Sequence, residues 1–155
     1  MPQIHDQEAA GLWRHVGAVV GGWKQRLGRA LDDARARSAL RNEFAHLEQA
    51  GELDLVLDDI GLSRTAVPTL VQNHPGAARR LAGMLKRLRI EPSQEAQNGP
   101  EMRAIQRSCL LCAVSGRCER WLASGSNEDP HQFCPNSRAL DELVVSGKAT
   151  YIQKP

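Results

Sequence analysis

Apolar residues recur along this chain at three- and four-residue steps and almost never in strict alternation. From Glu8 onward, Leu12, Val16, Val19, Val20, Trp23, Leu27 and Leu31 mark one face of a helix. The same period continues through Ala34, Leu40, Phe44 and Leu47 until Gly51. Gly17, Gly21, Gly22 and Gly28 each weaken such a helix by up to about 1 kcal/mol, and the Gly21-Gly22 pair predicts a break. A short acidic helix follows, with Leu53, Val56, Leu57 and Ile60 apolar and Gly61 as its stop. Residues 62–73 read as another short helix, and His74-Pro75-Gly76 as a turn. Over residues 77–90 the pattern is strongly amphipathic: Ala77, Leu81, Met84, Leu85 and Leu88 share a face, with Arg79, Arg80, Lys86 and Arg87 opposite. Pro100 suits a first helical position, and Met102, Ile105, Leu110 and Leu111 carry that helix forward. A last helix spans about Ser137 to Val145 and is closed by Gly147. The predicted fold is all-α, a long N-terminal amphipathic helix followed by a small helical bundle. Its predicted parts are a helical arm (1–50), a short-helix segment (51–90), a polar linker (91–99) and a cysteine-bearing region (100–155), with 51–147 forming one compact unit.

Composition narrows this picture. Of 155 residues, 41% are hydrophobic and 25% charged, which supports a packed core and argues against wholesale disorder. Aromatics are 4% against 18 leucines, so the core is an aliphatic one of helical type. No apolar run approaches the roughly 18–20 residues that span a bilayer, and the N-terminus lacks a signal-peptide pattern. A soluble, cytoplasmic protein is expected. Net charge is only +2, too balanced for a dedicated nucleic-acid binder on composition alone.

That balance conceals two blocks. Residues 42–62 carry six acids (Glu43, Glu48, Glu52, Asp54, Asp58, Asp59) and no Lys or Arg. Residues 63–90 carry six basic residues and no acid. Either Arg79, Arg80, Lys86 and Arg87 form a candidate polyanion-binding face, or the blocks neutralise each other within the chain. Self-neutralisation is the simpler reading, since most surface charge serves solvation. The long N-terminal helix is amphipathic with a basic side (Arg14, Lys24, Arg26, Arg29), which suits a partner protein, self-association or peripheral contact with an acidic membrane.

The candidate chemistry lies in four cysteines within 26 residues, Cys109, Cys112, Cys118 and Cys134, spaced C-x2-C-x5-C-x15-C. In a cytoplasmic protein this clustering favours metal over disulfides. Cys109 and Cys112, three apart at a helix end, can grip one metal. Gly116 permits the return to Cys118, and Pro135 fixes the chain just past Cys134. A structural Zn²⁺ takes four tetrahedral thiolates, and a [4Fe–4S] cluster takes four as well. Zinc ribbons usually pair two C-x2-C knuckles. Here the second is missing and Cys134 precedes a proline, so the spacing leans towards the cluster, with Zn²⁺ the alternative and metal-free thiols the third reading. His131, three residues before Cys134, is a donor of the right type but reads as solvent-facing. Trp121 and Phe133 read as a roof that excludes water.

The stretches Cys109-Leu-Leu-Cys112, Cys118-Glu-Arg-Trp121-Leu122-Ala123 and Phe133-Cys134-Pro135-Asn136 resemble an uncharacterised family of small helical proteobacterial proteins with four cysteines. The likeness covers about residues 70 to 147. Upstream, Leu57-Asp58-Asp59-Ile60-Gly61-Leu62-Ser63-Arg64 resembles a second family of short arginine-rich bacterial proteins with an L-x-D-I-G-L-x-R signature. The resemblance implies cysteine ligation in a bacterial cytoplasm and names no reaction.

Three function classes compete. Four thiolates saturate a metal, so the first is an accessory, electron-transfer or sensor protein rather than an enzyme. The second is a structural-zinc protein that binds nucleic acid or a partner through its basic helix. Residues 53–72 superficially read as a helix-turn-helix, but with Ser63 as cap Pro68 would fall inside the recognition helix at a cost of about 3 kcal/mol. A cap at Thr65 moves Pro68 into the first turn. The third class, an enzyme, finds no phosphate loop, no H-E-x-x-H and no nucleophile elbow.

Overall fold

The computed structural model describes the backbone of residues 5–153 and the side chains of residues 25–153. Helix α1 spans His5–Ala50. It runs through Gly21-Gly22 without the predicted break, because a glycine weakens a helix but still donates its backbone N–H. The side chains of the basic face at Arg14 and Lys24, and of Leu12 to Trp23, lie outside the described residues. At the other end Gly51 takes the left-handed conformation (φ 73°). Its N–H bonds the Glu48 carbonyl while Glu52 N–H bonds that of Leu47, so the helix ends in a Schellman motif.

Helix α2, Leu53–Asp59, buries Leu53 and Leu57 and stops at Gly61 in the same way, with Leu62 N–H returning to the Leu57 carbonyl. A 3-10 turn over Arg64–Ala66 leads into α3, Val67–Leu88. Pro68 therefore sits in the first turn of α3, where its missing N–H costs nothing.

The largest departure from the sequence reading is in α3 itself. The two predicted helices and their His74-Pro75-Gly76 turn are one continuous 22-residue helix. Proline inside a helix forfeits a hydrogen bond. An unbroken buried stripe of Val71, Asn73, Ala77, Leu81 and Met84 outweighs that loss, since α3 packs on α1 and on the helices that follow it. Arg89 closes α3 in the left-handed region (φ 57°).

Residues 91–99, expected as a linker, are ordered. Strand β1, Ile90–Pro92, pairs antiparallel with β2, Ala149–Tyr151, Ile90 facing Tyr151 and Pro92 facing Ala149. Ser93 then caps α4, Gln94–Gln97, its hydroxyl accepting Ala96 N–H at 3.1 Å, and Ala96 is buried. Helix α5 is Pro100–Leu110, α6 is Ser115–Ser124, and α7 is Ser137–Val145. A 3-10 turn over Pro130–Gln132 precedes α7. The molecule is mostly helical, and its two three-residue strands clasp the end of α3 to the end of the described chain. The core joins Met84, Ile105, Trp121, Phe133 and Leu140, and Cys118 belongs to it. Among the described residues no helix is long and apolar enough to cross a membrane.

Candidate metal centre

The four cysteines come from three different places in the bundle. Cys109 lies in the last turn of α5, and Cys112 just beyond its end. Cys118 lies in the early turns of α6, its N–H bonded to the Val114 carbonyl. Cys134 follows the Pro130 turn, its N–H held by the Pro130 carbonyl at 2.7 Å. All four line one small cavity of about 20 Å³, walled by Leu81, Met84, Val114, Phe133, Pro135 and Leu140. All are free thiols. Cys118 is the most buried, whereas Cys112 and Cys134 also edge a shallow groove on the outer side with Ser108 and Ala113.

Burial controls the protonation of these thiols. Loss of water pushes the Cys118 thiol up to about 11, with Cys134 and Cys109 adding to the rise and Arg80 opposing it. Cys109 and Cys134 are raised chiefly by burial too. The Asn136 amide restrains Cys109, and the backbone N–H of Asn136 restrains Cys134. Three of the four sulfurs therefore hold their protons at neutral pH until something displaces them.

Three polar residues that the pattern of apolar positions does not reveal organise the site. Asn73 of α3, 2% exposed, donates its amide to the carbonyls of Leu110 (3.0 Å) and Cys112 (2.9 Å). Those carbonyls lose their helical partners where α5 ends, so Asn73 fixes the turn carrying Cys109 and Cys112. Asn136, 4% exposed, donates to the Ile105 carbonyl (3.0 Å) and to Cys109 Sγ (3.2 Å). This accounts for the asparagine of Phe133-Cys134-Pro135-Asn136. Arg80, also buried, donates to Glu119 (2.8 Å) and the Asn73 carbonyl (3.1 Å), and lies 3.5 Å from the Cys109 carbonyl. Gly76 makes room for it, since a Cβ there would collide with Arg80 Nη1.

Of the two aromatics expected as a roof, Phe133 lines the thiol cavity, and Trp121 packs against Phe133 without lining it. Trp121 and Phe133 meet at 5.7 Å with planes tilted by 60°, and Trp121 Nε1 donates to the Glu128 carbonyl. The Arg87 guanidinium lies 3.6 Å over the Trp121 ring.

His131 lies outside the thiol set. Its Nδ1 is 2.7 Å from Asp129 and its Nε2 is 2.6 Å from Asp141, so both ring nitrogens are engaged by carboxylates. Asp141 and then Asp129 raise its pKa accordingly.

The candidate polyanion face does not form as one surface. Arg79 pairs with Asp33 of α1 at 2.6 Å. Arg80 faces the thiol cavity, and Arg87 donates to the carbonyls of Trp121 and Ser126. Arg79 and Lys86 are both exposed, and only the Lys86 side chain of the four has no ion pair or hydrogen bond among the described residues. The physical reason is helix geometry. Arg80 and Arg87, seven residues apart, share the flank of α3 that meets α6, while Arg79 turns towards α1.

The donor set has the chemistry of a thiolate-ligated centre: four sulfurs on one apolar-walled cavity, with an N–H donor at one of them. A zinc ion about 2.3 Å from each sulfur would need them drawn tightly together. Among the described residues no three Cys, His, Asp or Glu side chains close to single-ion spacing. No curated protein and no solved structure matches the chain. Residues 69–146, the span from α3 to α7 that holds all four cysteines together with Asn73, Arg80 and Asn136, match the family model described as a family of unknown function (DUF6455), and the chain belongs to that family.

Proposed function

We propose that this chain is a cytoplasmic accessory, electron-transfer or sensor protein that holds a [4Fe–4S] cluster on Cys109, Cys112, Cys118 and Cys134. One observation carries the reading: residues spread over 26 positions and three elements put all four thiols on a single cavity. The irregular C-x2-C-x5-C-x15-C spacing and the Cys134-Pro135 step favour a cluster over one Zn²⁺. Such a centre supplies one-electron exchange or a bond set that oxidants disrupt. The chain itself supplies the apolar walls, Phe133 among them, and the Asn136 donor. With the ligands saturated, no position is open for a substrate.

The test is purification without oxygen. Brown protein with broad absorbance near about 400 nm, and iron and sulfide in equal amounts, is the expected result. Substituting any of the four cysteines by serine should release the metal. Colourless protein with one stoichiometric zinc replaces the cluster with a structural zinc. Full metal retention in two of the single variants removes the four-thiolate assignment altogether.

A further inference from the structure

Arg80 is the one charged side chain among those lining the thiol cavity. Its side chain is 7% exposed, while that of its carboxylate partner, Glu119, is 57% exposed. Water screens the Glu119 charge, and the other acceptors of Arg80 are backbone carbonyls, those of Asn73 and Cys109. In the metal-free chain this buried guanidinium is thus poorly compensated. Four thiolates around Zn²⁺, or around a four-iron cluster in its common oxidised state, form a dianion. The cation is also built in: α3 gives up a side chain at position 76 to let Arg80 through.

We propose that Arg80 is the internal counter-cation of the four-thiolate centre, a positioning residue that favours the anionic, metal-loaded state over the metal-free one. This rests on the thiolate-ligation reading above. Loading balances as one Zn²⁺ entering and four thiol protons leaving, so the cavity becomes a dianion beside Arg80. For a cluster, two ferrous and two ferric ions enter with four sulfides as four thiol protons leave, which gives the same dianion with no surplus electrons. Glu119, on the solvent side, then orients Arg80 rather than neutralising it.

The experiment uses the full chain, stripped under reducing conditions, freed of reductant, and reloaded without oxygen either with zinc or with equal amounts of ferrous and ferric iron plus sulfide. If the wild type takes up neither, the thiolate reading fails and this inference fails with it. With a loaded wild type, the variants test Arg80 alone. Arg80→Gln should weaken zinc retention against a chelator by about tenfold or more, and Arg80→Lys should restore most of it. The iron–sulfur form of Arg80→Gln should have a lower midpoint potential than that of Arg80→Lys. If Arg80→Gln folds poorly, the double variant R80M/E119Q, which deletes both charges, serves for the same comparison with Arg80→Lys. Wild-type retention and potential in the charge-deleted variant overturn the assignment. So does equal loss in the lysine and glutamine variants, which would mean that shape rather than charge matters.

Discussion

A thiol deprived of water keeps its proton, and Cys118 shows this most clearly. Its unfolded pKa is near 9, and the fold lifts it to about 11. Between those values the unfolded chain has released a proton that the folded, metal-free chain still holds. The stabilising contribution of Cys118 is therefore complete below about pH 9 and disappears as pH rises through about 11. Metal-free protein should show a urea midpoint that falls over this window. Metal-loaded protein, whose sulfurs have already lost their protons, should show a flatter profile. Cys118→Ser should remove part of the fall, and an identical slope in that variant would contradict the argument. The grouping of the four cysteines was legible in the sequence from their clustering, and the fold brings all four to one cavity. Asn73, Arg80 and Asn136 were not. A polar side chain in an amphipathic repeat reads as surface, and it is the packing of α3 against α5 and α6 that turns Asn73 and Arg80 inward, while Asn136, at the start of α7, is buried against α5. Each makes at least two hydrogen bonds, as a buried polar group must, and each has at least one backbone carbonyl among its partners, which leaves no signature in sequence.

At the scale of elements, the capped boundaries were readable and the interruptions were not. Gly51, Gly61 and Gly147 end their helices in positive-φ conformations, and Pro100 opens α5, each where local chemistry puts it. His74-Pro75-Gly76 misleads because proline and glycine usually mark turns. Here Gly76 is chosen for the passage of Arg80, and tertiary burial carries α3 through Pro75. The same geometry divides the basic residues of α3, and the division is testable. Arg79→Gln with Lys86→Gln removes an exposed ion pair and a free lysine, so stability should fall by no more than about 1 kcal/mol. Arg80→Gln with Arg87→Gln breaks a buried network and a guanidinium–indole contact at the α3–α6 interface. That pair should cost more, on the order of 2–4 kcal/mol, because buried carbonyls lose their donors and the indole loses its cation. Equal losses in the two double variants, measured by chemical denaturation, would restore the picture of one uniform solvent face.

Across the whole molecule two sets of contacts hold separate halves together. One docks α1 on α2 and α3 through Arg79–Asp33, Arg64 with Glu48 and Asp54, and Arg37 on the Gln72 carbonyl. Self-neutralisation thus operates in part, though Asp33 and Glu119, which hold Arg79 and Arg80, lie outside the acidic block. The other set surrounds the thiols, where α5, α6 and the segment before α7 converge on α3. From Gly125 to Gln132 the chain contains no α-helix and depends on Trp121, Glu128 and the Pro130 turn for order. The proposed centre, ligated at both 109 and 134, would close the 26 residues from 109 to 134 into a loop and remove much of the freedom they have when open. Stripping the metal should therefore act locally. Hydrogen exchange should accelerate over residues 109–136, while the α1–α3 interface around Asp33 and Arg79 keeps its protection. Cys134→Ser should reproduce this pattern in untreated protein, because it opens the far end of the same loop. Exchange that rises evenly over α1, α3 and α6 on stripping would mean that the centre supports global stability instead. No change anywhere would mean that the thiols hold no structural metal.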